Sequence, residues 1–168
     1  MSDDASFRIE PADSDDAETM ADLWVALAED QRAYGSHLEP DANYDRIHES
    51  MLQHVVADTA LVARDSDRIL GFVTFGPESE SFEQDTTRGL IHNVFVRAAH
   101  RGNGIGSDLL AAAEERLEAM GVDAIALQAM ATNDRARAFY RRHGYRPHRI
   151  ELEKSAESDS LTKGDGQE

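Results

Sequence analysis

Gly89-Leu-Ile-His-Asn-Val-Phe-Val96 is followed by Arg97-Ala-Ala-His100, by Arg101-Gly-Asn-Gly-Ile-Gly106 and by Ser107-Asp-Leu-Leu-Ala-Ala-Ala-Glu-Glu-Arg-Leu-Glu-Ala-Met120. The first segment is rich in β-branched and aromatic residues over the length of one strand. In the last segment, apolar residues recur every three or four positions, as they do on one face of a helix. Because the spacing changes at the glycines, the stretch predicts a strand, a glycine loop and a helix.

The glycine loop predicts a phosphate site. Gly102, Gly104 and Gly106 lack a Cβ atom, so the backbone can turn sharply and bring its N–H groups close to a ligand. The first turn of a helix adds unpaired N–H donors and the positive end of the helix dipole. The spacing matches neither the dinucleotide fingerprint G-x-G-x-x-G nor the triphosphate loop G-x-x-x-x-G-K-[ST]. From the glycines alone, a tight turn without any ligand remains an alternative.

A second motif lies downstream and reads Asn133-Asp-Arg-Ala-Arg-Ala-Phe-Tyr-Arg-Arg-His-Gly-Tyr145. The glycine loop resembles the [QR]-x-x-G-x-[GA] signature of the GNAT superfamily, the acyl-CoA-dependent N-acetyltransferases. The downstream motif resembles that family's Asn followed by a short helix ending in F-Y-x-x-x-G-[FY]. Both motifs stand in the family's order with a predicted strand between them, and the resemblance extends from Phe7 to Leu152.

The resemblance implies a fold and its boundaries. We expect a GNAT-like α/β domain with a twisted, mainly antiparallel sheet of roughly six to seven strands and about four helices. The sheet should split between its fourth and fifth strands. The domain should span residues 7–152, between an N-terminal extension at 1–6 and a polar, disordered tail at 153–168. Local patterns predict further strands at 7–11, 59–64, 69–76, 124–130 and 146–152, helices at 17–33 and 43–56, and an exposed loop at 77–88.

The resemblance also implies a reaction. An acetyl group would pass from acetyl-CoA to a primary amine by direct attack in a ternary complex. Tyr140 stands where the family has the tyrosine that protonates the departing thiolate, and a phenol with a pKa near 10 can do so. A purely structural role in an aromatic core is the alternative for Tyr140. The rival function is a non-catalytic acyl-CoA-binding or sensing module, which would need no proton donor.

His92 is the candidate base. In several GNAT branches a Glu or His on this strand removes the amine proton through water, and an imidazole pKa near 6.5 suits that task. Strand alternation predicts two faces, one with Leu90, His92, Val94 and Val96 and the other with Ile91, Asn93 and Phe95. A partly buried structural histidine, with an ordered water as the path for the proton, is the alternative.

The resemblance further implies binding residues. The backbone amides of the loop should hold the diphosphate of coenzyme A, while the backbone of Phe95 and Val96 and the side chain of Asn133 contact the pantetheine arm. Asn133 could also cap its helix. The loop residues concerned are Arg101, Gly102, Asn103, Gly104, Ile105 and Gly106, and Arg97 could also face a phosphate. The candidate acceptor contacts are Tyr34, His37, Glu39 and Tyr44.

The composition excludes several other classes of site. The chain has no cysteine, which excludes disulfides, thiolate metal sites and a cysteine nucleophile, and no metal is expected. A net charge of −16 argues against binding a nucleic-acid backbone. Without a long apolar run or a basic, apolar leader, the chain should be a cytoplasmic protein that needs no membrane. Its partners should be a small-molecule amine or a peptide or protein amine, with the chain acting as a monomer or homodimer.

The acidity itself has two interpretations. It could steer a cationic substrate, or it could adapt the surface to concentrated salt, which screens self-repulsion. Acidic residues are spread along the whole chain, and Lys154 and Lys163 are its only lysines. This distribution favours a salt-adapted, haloarchaeal-type member of the family.

Overall fold

A computed structural model describes residues 6–79 and 82–157 of the 168-residue chain. The strands in these ranges are β1 (Arg8–Pro11), β2 (Ala60–Asp65), β3 (Arg68–Pro77), β4 (Arg88–Val96) and β5 (Ala124–Ala126). The α-helices are α1 (Ala17–Arg32), α2 (Tyr44–Ala57), α3 (Ile105–Ala119) and α4 (Asp134–Arg142). The strands form one sheet in chain order, antiparallel from β1 to β4 and parallel between β4 and β5. The predicted mainly antiparallel α/β sheet with about four helices is confirmed.

The helices cover both faces of the sheet. One face packs α1 and α2 over Val62, Phe72 and Phe95, and the other packs α3 over Leu61, Val73 and Phe75. A short 3-10 turn at Ser14–Asp16 leads into α1 and is capped by the sequence: the Asp13 carboxylate accepts a hydrogen bond from the Asp15 amide, and the Asp16 carboxylate accepts one from the Asp13 amide. The loop that follows β4 therefore lies at one end of a sheet covered on both faces.

The predicted count of six to seven strands is wrong for the described residues, which contain five. The predicted strand at 146–152 has no ladder partner there, and Ile150 and Leu152 are 75% and 89% exposed. Pro147 cannot donate a ladder hydrogen bond, and Arg146, His148, Arg149 and Glu151 leave only two side chains that burial would favour. The alternation of Ile150 and Leu152 alone was therefore too weak a signal.

The ladder between the fourth and fifth strands is short, which is compatible with the predicted split. β5 pairs with β4 over only three positions, Arg88 to Leu90, and the chain after Ala126 has no strand assignment. The predicted boundaries at residues 6 and 153 stay predictions. Residues 1–5 and 158–168, which hold most of the proposed extension and tail, lie outside the described residues, as do residues 80 and 81 of the loop between β3 and β4.

β4 contains a bulge at His92. Thr74 of β3 faces Asn93 and Phe75 faces Ile91, so His92 is an extra residue with no partner opposite it. The predicted alternation is wrong at this point: Ile91 packs with Val94 and Val96 on the α3 face, while His92 approaches α2 on the face of Phe95. A bulge inserts one residue into the period of two, which reverses every side chain on one side of it.

The pairing of β3 with β4 depends on a glycine. A Cβ atom at Gly71 would lie 2.5 Å from the Phe95 carbonyl oxygen, which is backbone and cannot move aside without disturbing the ladder. At Gly76, on the same strand, an added Cβ would meet its nearest neighbour, His92 Nε2, at 3.8 Å, an ordinary contact.

We expect Gly71→Ala to lower the free energy of unfolding by roughly 1–3 kcal/mol, the usual cost of overpacking. Gly76→Ala should stay within about 1 kcal/mol of the parent protein. Urea unfolding of both variants in one buffer provides the measurement. Equal stability of the two variants would show that the contact at Gly71 is not a packing constraint.

Candidate active site

The glycine loop presents a row of free amide groups. Gly102 and Gly104 have φ angles of 84° and 80°, in the left-handed region where a side chain is strained, and Gly104 caps α3. The N–H groups of residues 102 to 107 meet no hydrogen-bond acceptor in the described parts of the chain. Residues 101 to 104 are exposed, so these donors and the positive end of the α3 dipole are open to a ligand.

Two side chains of this loop hold its own backbone. Arg101 Nε donates to the Val96 carbonyl at 3.0 Å, and its guanidinium lies 5.4 Å from the centre of the Phe95 ring. The same guanidinium contacts Asp30 of α1 at 3.3 Å. Asn103 Nδ2 donates to the His100 carbonyl at 3.3 Å. The loop is therefore tied to the end of β4 and to the last turns of α1.

A cavity of about 40 Å³ opens where β4 and the chain after β5 diverge. It brings His92 and Tyr140 together, although they are far apart in the sequence. Its lining consists of Leu27, Gln31, Ile91, His92, Asn93, Val94, Leu127, Gln128 and Tyr140. Both predicted catalytic residues therefore face one small space, a position that only the divergence of the strands makes available.

Tyr140 reaches this cavity from α4. Asn133 caps the helix, since its Oδ1 atom accepts a hydrogen bond from the Ala136 amide at 3.1 Å. The Tyr140 ring is packed edge-on against Phe139 and Tyr145, with centroid distances of 5.2 and 5.9 Å. Burial raises the pKa of the Tyr140 phenol above its usual value. The phenol is therefore protonated at neutral pH and can act as a hydrogen donor.

His92 lines the same cavity as Tyr140. Its surface is exposed on one side, and on the other it packs against β3 near Gly76 and against His54 of α2. Burial lowers the pKa of His92 below that of a free imidazole, because desolvation disfavours the charged form. At neutral pH the ring is uncharged and can accept a proton.

The predicted acceptor contacts lie elsewhere. The Tyr34 carbonyl accepts a hydrogen bond from Thr132, His37 Nε2 contacts Glu153 at 2.8 Å, and Tyr44 stacks on His48 in the first turns of α2. None of them lines the cavity. Leu27 and Gln31, one helical turn apart on α1, line it and were missed. Their spacing on one helix face was visible, but only the packing of α1 over β4 shows that this face meets the cavity.

A second, wider depression of about 570 Å³ is not part of this site. It lies between the β2–β3 turn and the start of α1 and includes Arg64, which bonds to Asp16 and Glu10. Arg97 also lines it and donates from Nε to the Ile69 carbonyl. Arg97 is the one candidate phosphate contact that lies in this depression, and the other predicted catalytic, cofactor and acceptor residues do not line it.

The described residues offer neither a metal site nor a membrane-spanning helix. No group of three or more His, Asp or Glu side chains there could hold a metal ion. Among the helices of residues 6–79 and 82–157, none has both the length and the apolar character of a membrane span.

Comparisons with known proteins agree on one family. Residues 24–145 match the model of the acetyltransferase (GNAT) family. An L-2,4-diaminobutyric acid acetyltransferase from Shouchella clausii (strain KSM-K16) is 31% identical over 140 residues, which cover 82% of this chain and 74% of that protein. A mycothiol acetyltransferase from Clavibacter michiganensis subsp. michiganensis (strain NCPPB 382) is 32% identical over 139 residues, covering 79% of this chain but 42% of that protein.

A solved structure shows the same fold. The crystal structure of a GCN5-related N-acetyltransferase from Ralstonia eutropha JMP134 superimposes with a TM-score of 0.72 at 23% identity. The match covers 90% of this chain and 99% of that chain.

The histidine pair predicts a pH dependence of stability. Because burial lowers the pKa of both His54 and His92, the unfolded state binds more protons below about pH 6.5. The free energy of unfolding should therefore fall as the pH drops from about 6.5 through the lowered pKa values. Hydrogen bonds from Arg64 and Arg88 lower the pKa values of Glu10 and Glu78. Protonation of these two carboxylates should therefore reduce the free energy of unfolding only below about pH 4.5.

Urea midpoints at pH 7.5 and 5.5 test this expectation. The His54→Gln/His92→Gln double variant should lose less stability than the parent protein over that interval, while His148→Gln, which changes an exposed ring, should behave like the parent. An equal loss in the parent and the double variant would contradict the assignment.

Proposed function

The chain belongs to the acetyltransferase (GNAT) family and is an N-acetyltransferase that transfers an acetyl group to an amine, and from this premise we propose how its site works. Acetyl-CoA is the donor, the glycine loop holds its diphosphate, His92 is the base and Tyr140 is the acid. The acceptor is a small-molecule primary amine, acetylated in the cytoplasm. One observation carries the proposal: the chain presents a row of free amides just after β4, and His92 of β4 lines a cavity together with the protonated phenol of Tyr140.

The donor fits the chain's free polar groups. The amides from Gly102 to Gly106 and the α3 dipole complement a diphosphate. The Asn133 side-chain amide nitrogen has no partner within the described residues and is available to the pantetheine arm, beside the backbone of Phe95 and Val96. Arg101 belongs to this set because its exposed contact with Asp30 is weak enough to be exchanged for a phosphate. Acetyl-CoA supplies the activated thioester.

His92 provides an uncharged imidazole that can accept a proton. An alkylamine is almost entirely protonated at pH 7, so it must lose a proton before its nitrogen can attack. The uncharged His92 ring takes this proton directly or through one water, and its exposed side returns it to solvent. Asn93 has a different role, because its Nδ2 donates to Thr74 Oγ1 at 2.9 Å and so fixes the bulge.

Tyr140 provides the proton for the leaving group. Its phenol is protonated at neutral pH, so it has a proton to donate as the C–S bond breaks and negative charge develops on the sulfur, although a thiol has the lower pKa. The proton passes from the phenol oxygen to sulfur, and solvent restores it. Because Asn133 caps α4, the helix holds the ring at a defined depth in the cavity.

The cavity favours a small, neutral amine end. Its lining carries no carboxylate, so nothing there holds an ammonium ion in its charged state. Gln31 and Gln128 can hydrogen-bond the acceptor, and Leu27 can pack against its carbon chain. The two curated relatives are named for acting on diaminobutyric acid and mycothiol, both small molecules. Tyr34, His37 and Tyr44 remain candidates only for the outer parts of a longer acceptor.

The proposed mechanism predicts the effect of substituting the two catalytic residues. Tyr140→Phe and His92→Gln should each lower kcat about 10²-fold, since each removes a proton-transfer group. The affinity for acetyl-CoA, measured by calorimetry, should not change. Thiol release with a panel of amines that includes L-2,4-diaminobutyrate provides the rate and also identifies the acceptor class.

Tyr145→Phe is the matched control. It makes the same chemical change on the neighbouring ring, whose hydroxyl bonds to Glu114 rather than facing the cavity. The control should keep the parent rate. If the parent protein does not bind acetyl-CoA at all, the donor assignment fails; if Tyr140→Phe keeps the parent rate, only the acid assignment fails.

We further propose that the surface is adapted to concentrated salt, as a haloarchaeal-type protein would be. At a net charge of −16, self-repulsion acts over a Debye length of about 10 Å at 0.1 M salt and about 3 Å at 1 M. The melting temperature should therefore rise between dilute and molar KCl. Sucrose, which does not screen charge, is the control. A melting temperature that responds to sucrose but not to KCl would contradict salt adaptation.

A further inference from the structure

A second imidazole lies directly behind the candidate base. His54, near the end of α2, has its ring centre 5.6 Å from that of His92, with the two planes inclined by 52°. The bulge in β4 produces this contact, because it directs His92 toward α2. His54 does not line the cavity. Any effect it has on the reaction must therefore act through His92.

Thr59 holds the His54 ring in place. His54 Nδ1 lies 2.6 Å from Thr59 Oγ1, and that hydroxyl also contacts the His54 carbonyl at 3.4 Å. Thr59 is only 6% exposed, and it follows Asp58, whose left-handed conformation ends α2. When the hydroxyl hydrogen points at the carbonyl, the oxygen accepts Nδ1–H. The other ring nitrogen of His54 then keeps its lone pair.

Within the described residues, the lining of the cavity beside His92 contains no carboxylate that would stabilise a second charge. From α4 the titratable neighbour of His92 is the phenol of Tyr140, and from α2 it is His54. Neither α1, nor β3, nor the chain after β5 adds a charged group, since they contribute Leu27, Gln31, Gly76, Leu127 and Gln128. Desolvation is the main cause of the lowered pKa of His54, and a charge on His92 lowers it further, so at neutral pH both rings are uncharged.

We propose that His54 is a positioning residue for the acetyl transfer: anchored by Thr59, it stays neutral and sets the orientation and hydration of His92. This inference rests on the proposed role of His92 as the base. During the reaction the amine nitrogen loses its proton to His92, and His54 neither gains nor loses one. His54 excludes water from one side of the His92 ring and presents a ring nitrogen with a free lone pair on that side.

Two substitutions of His54 should move the acid limb of the pH–rate profile in opposite directions. His54→Ala admits water behind His92, which raises the pKa of His92 and moves the acid limb to higher pH. His54→Phe keeps a ring of similar size but removes both nitrogens, which lowers the pKa of His92 and moves the acid limb to lower pH. A residue needed only for folding would not shift the limb both ways.

The rates should separate positioning from binding. Both variants should lower kcat about tenfold, a loss typical of residues that orient a functional histidine. The KM for the amine and the affinity for acetyl-CoA should stay at parent values. Thr59→Val, which removes the anchoring hydroxyl and keeps a branched side chain, should lower kcat in the same way. Gln53→Ala, an exposed change beside His54 on α2, should leave kcat and the acid limb unchanged.

A double-variant comparison decides between the outcomes. His54→Phe/His92→Gln should be no slower than His92→Gln, because His54 acts only through His92. Additive losses, or His54 variants with the parent kcat and acid limb, would overturn the inference and leave the base assignment standing. If His92→Gln retains the parent rate, the base assignment fails and the inference with it. Should His54→Ala not fold, Thr59→Val and His54→Phe decide the matter alone.

Discussion

The backbone ladder between β4 and β5 stops after Leu90, and the site depends on this interruption. Beyond it, neither strand satisfies the other's N–H and C=O groups, and the space between them becomes the cavity. The bulge at His92 lies just past the last pair, where an unpaired extra residue disturbs the fewest hydrogen bonds. Two neighbouring departures from sheet geometry therefore build the site: the end of the ladder opens the cavity, and the bulge places the His92 ring in its wall.

The candidate phosphate site and the candidate acid lie on different helices, and each helix has its own cap. α3 begins at a left-handed Gly104, so its free amides lie at the end of β4, while α4 carries Tyr140 from a cap at Asn133. The helices touch where Phe139 packs near Gly106 and where His143 contacts Ser107 at 3.0 Å. These contacts between α3 and α4 fix the position of Tyr140 relative to the amides of the glycine loop.

Predictions from the sequence were accurate for features that depend on one helix, strand or loop alone. The glycine loop and the Asn133 cap depend on local backbone chemistry, and both lie where the motifs place them. The strand at 146–152 failed because a strand needs a partner, which no local pattern can supply. The acceptor residues Tyr34, His37 and Tyr44 were predicted because the resembled family builds a wall of its acceptor pocket from this helical pair and its joining loop, and they stay predictions. The cavity itself is lined by Leu27 and Gln31 of α1.

By itself, the sequence determined the order of the elements, the family and the residue types available for acid, base and phosphate contacts. The order of the elements and the residue types follow from local spacing and composition, whereas the family follows from the resemblance of two motifs to known signatures. The tertiary structure alone decided which face His92 occupies, because a bulge is a mismatch between two strands and belongs to neither sequence separately. For the same reason only the fold could bring His54 of α2 behind His92 of β4 and Tyr140 of α4 across from it.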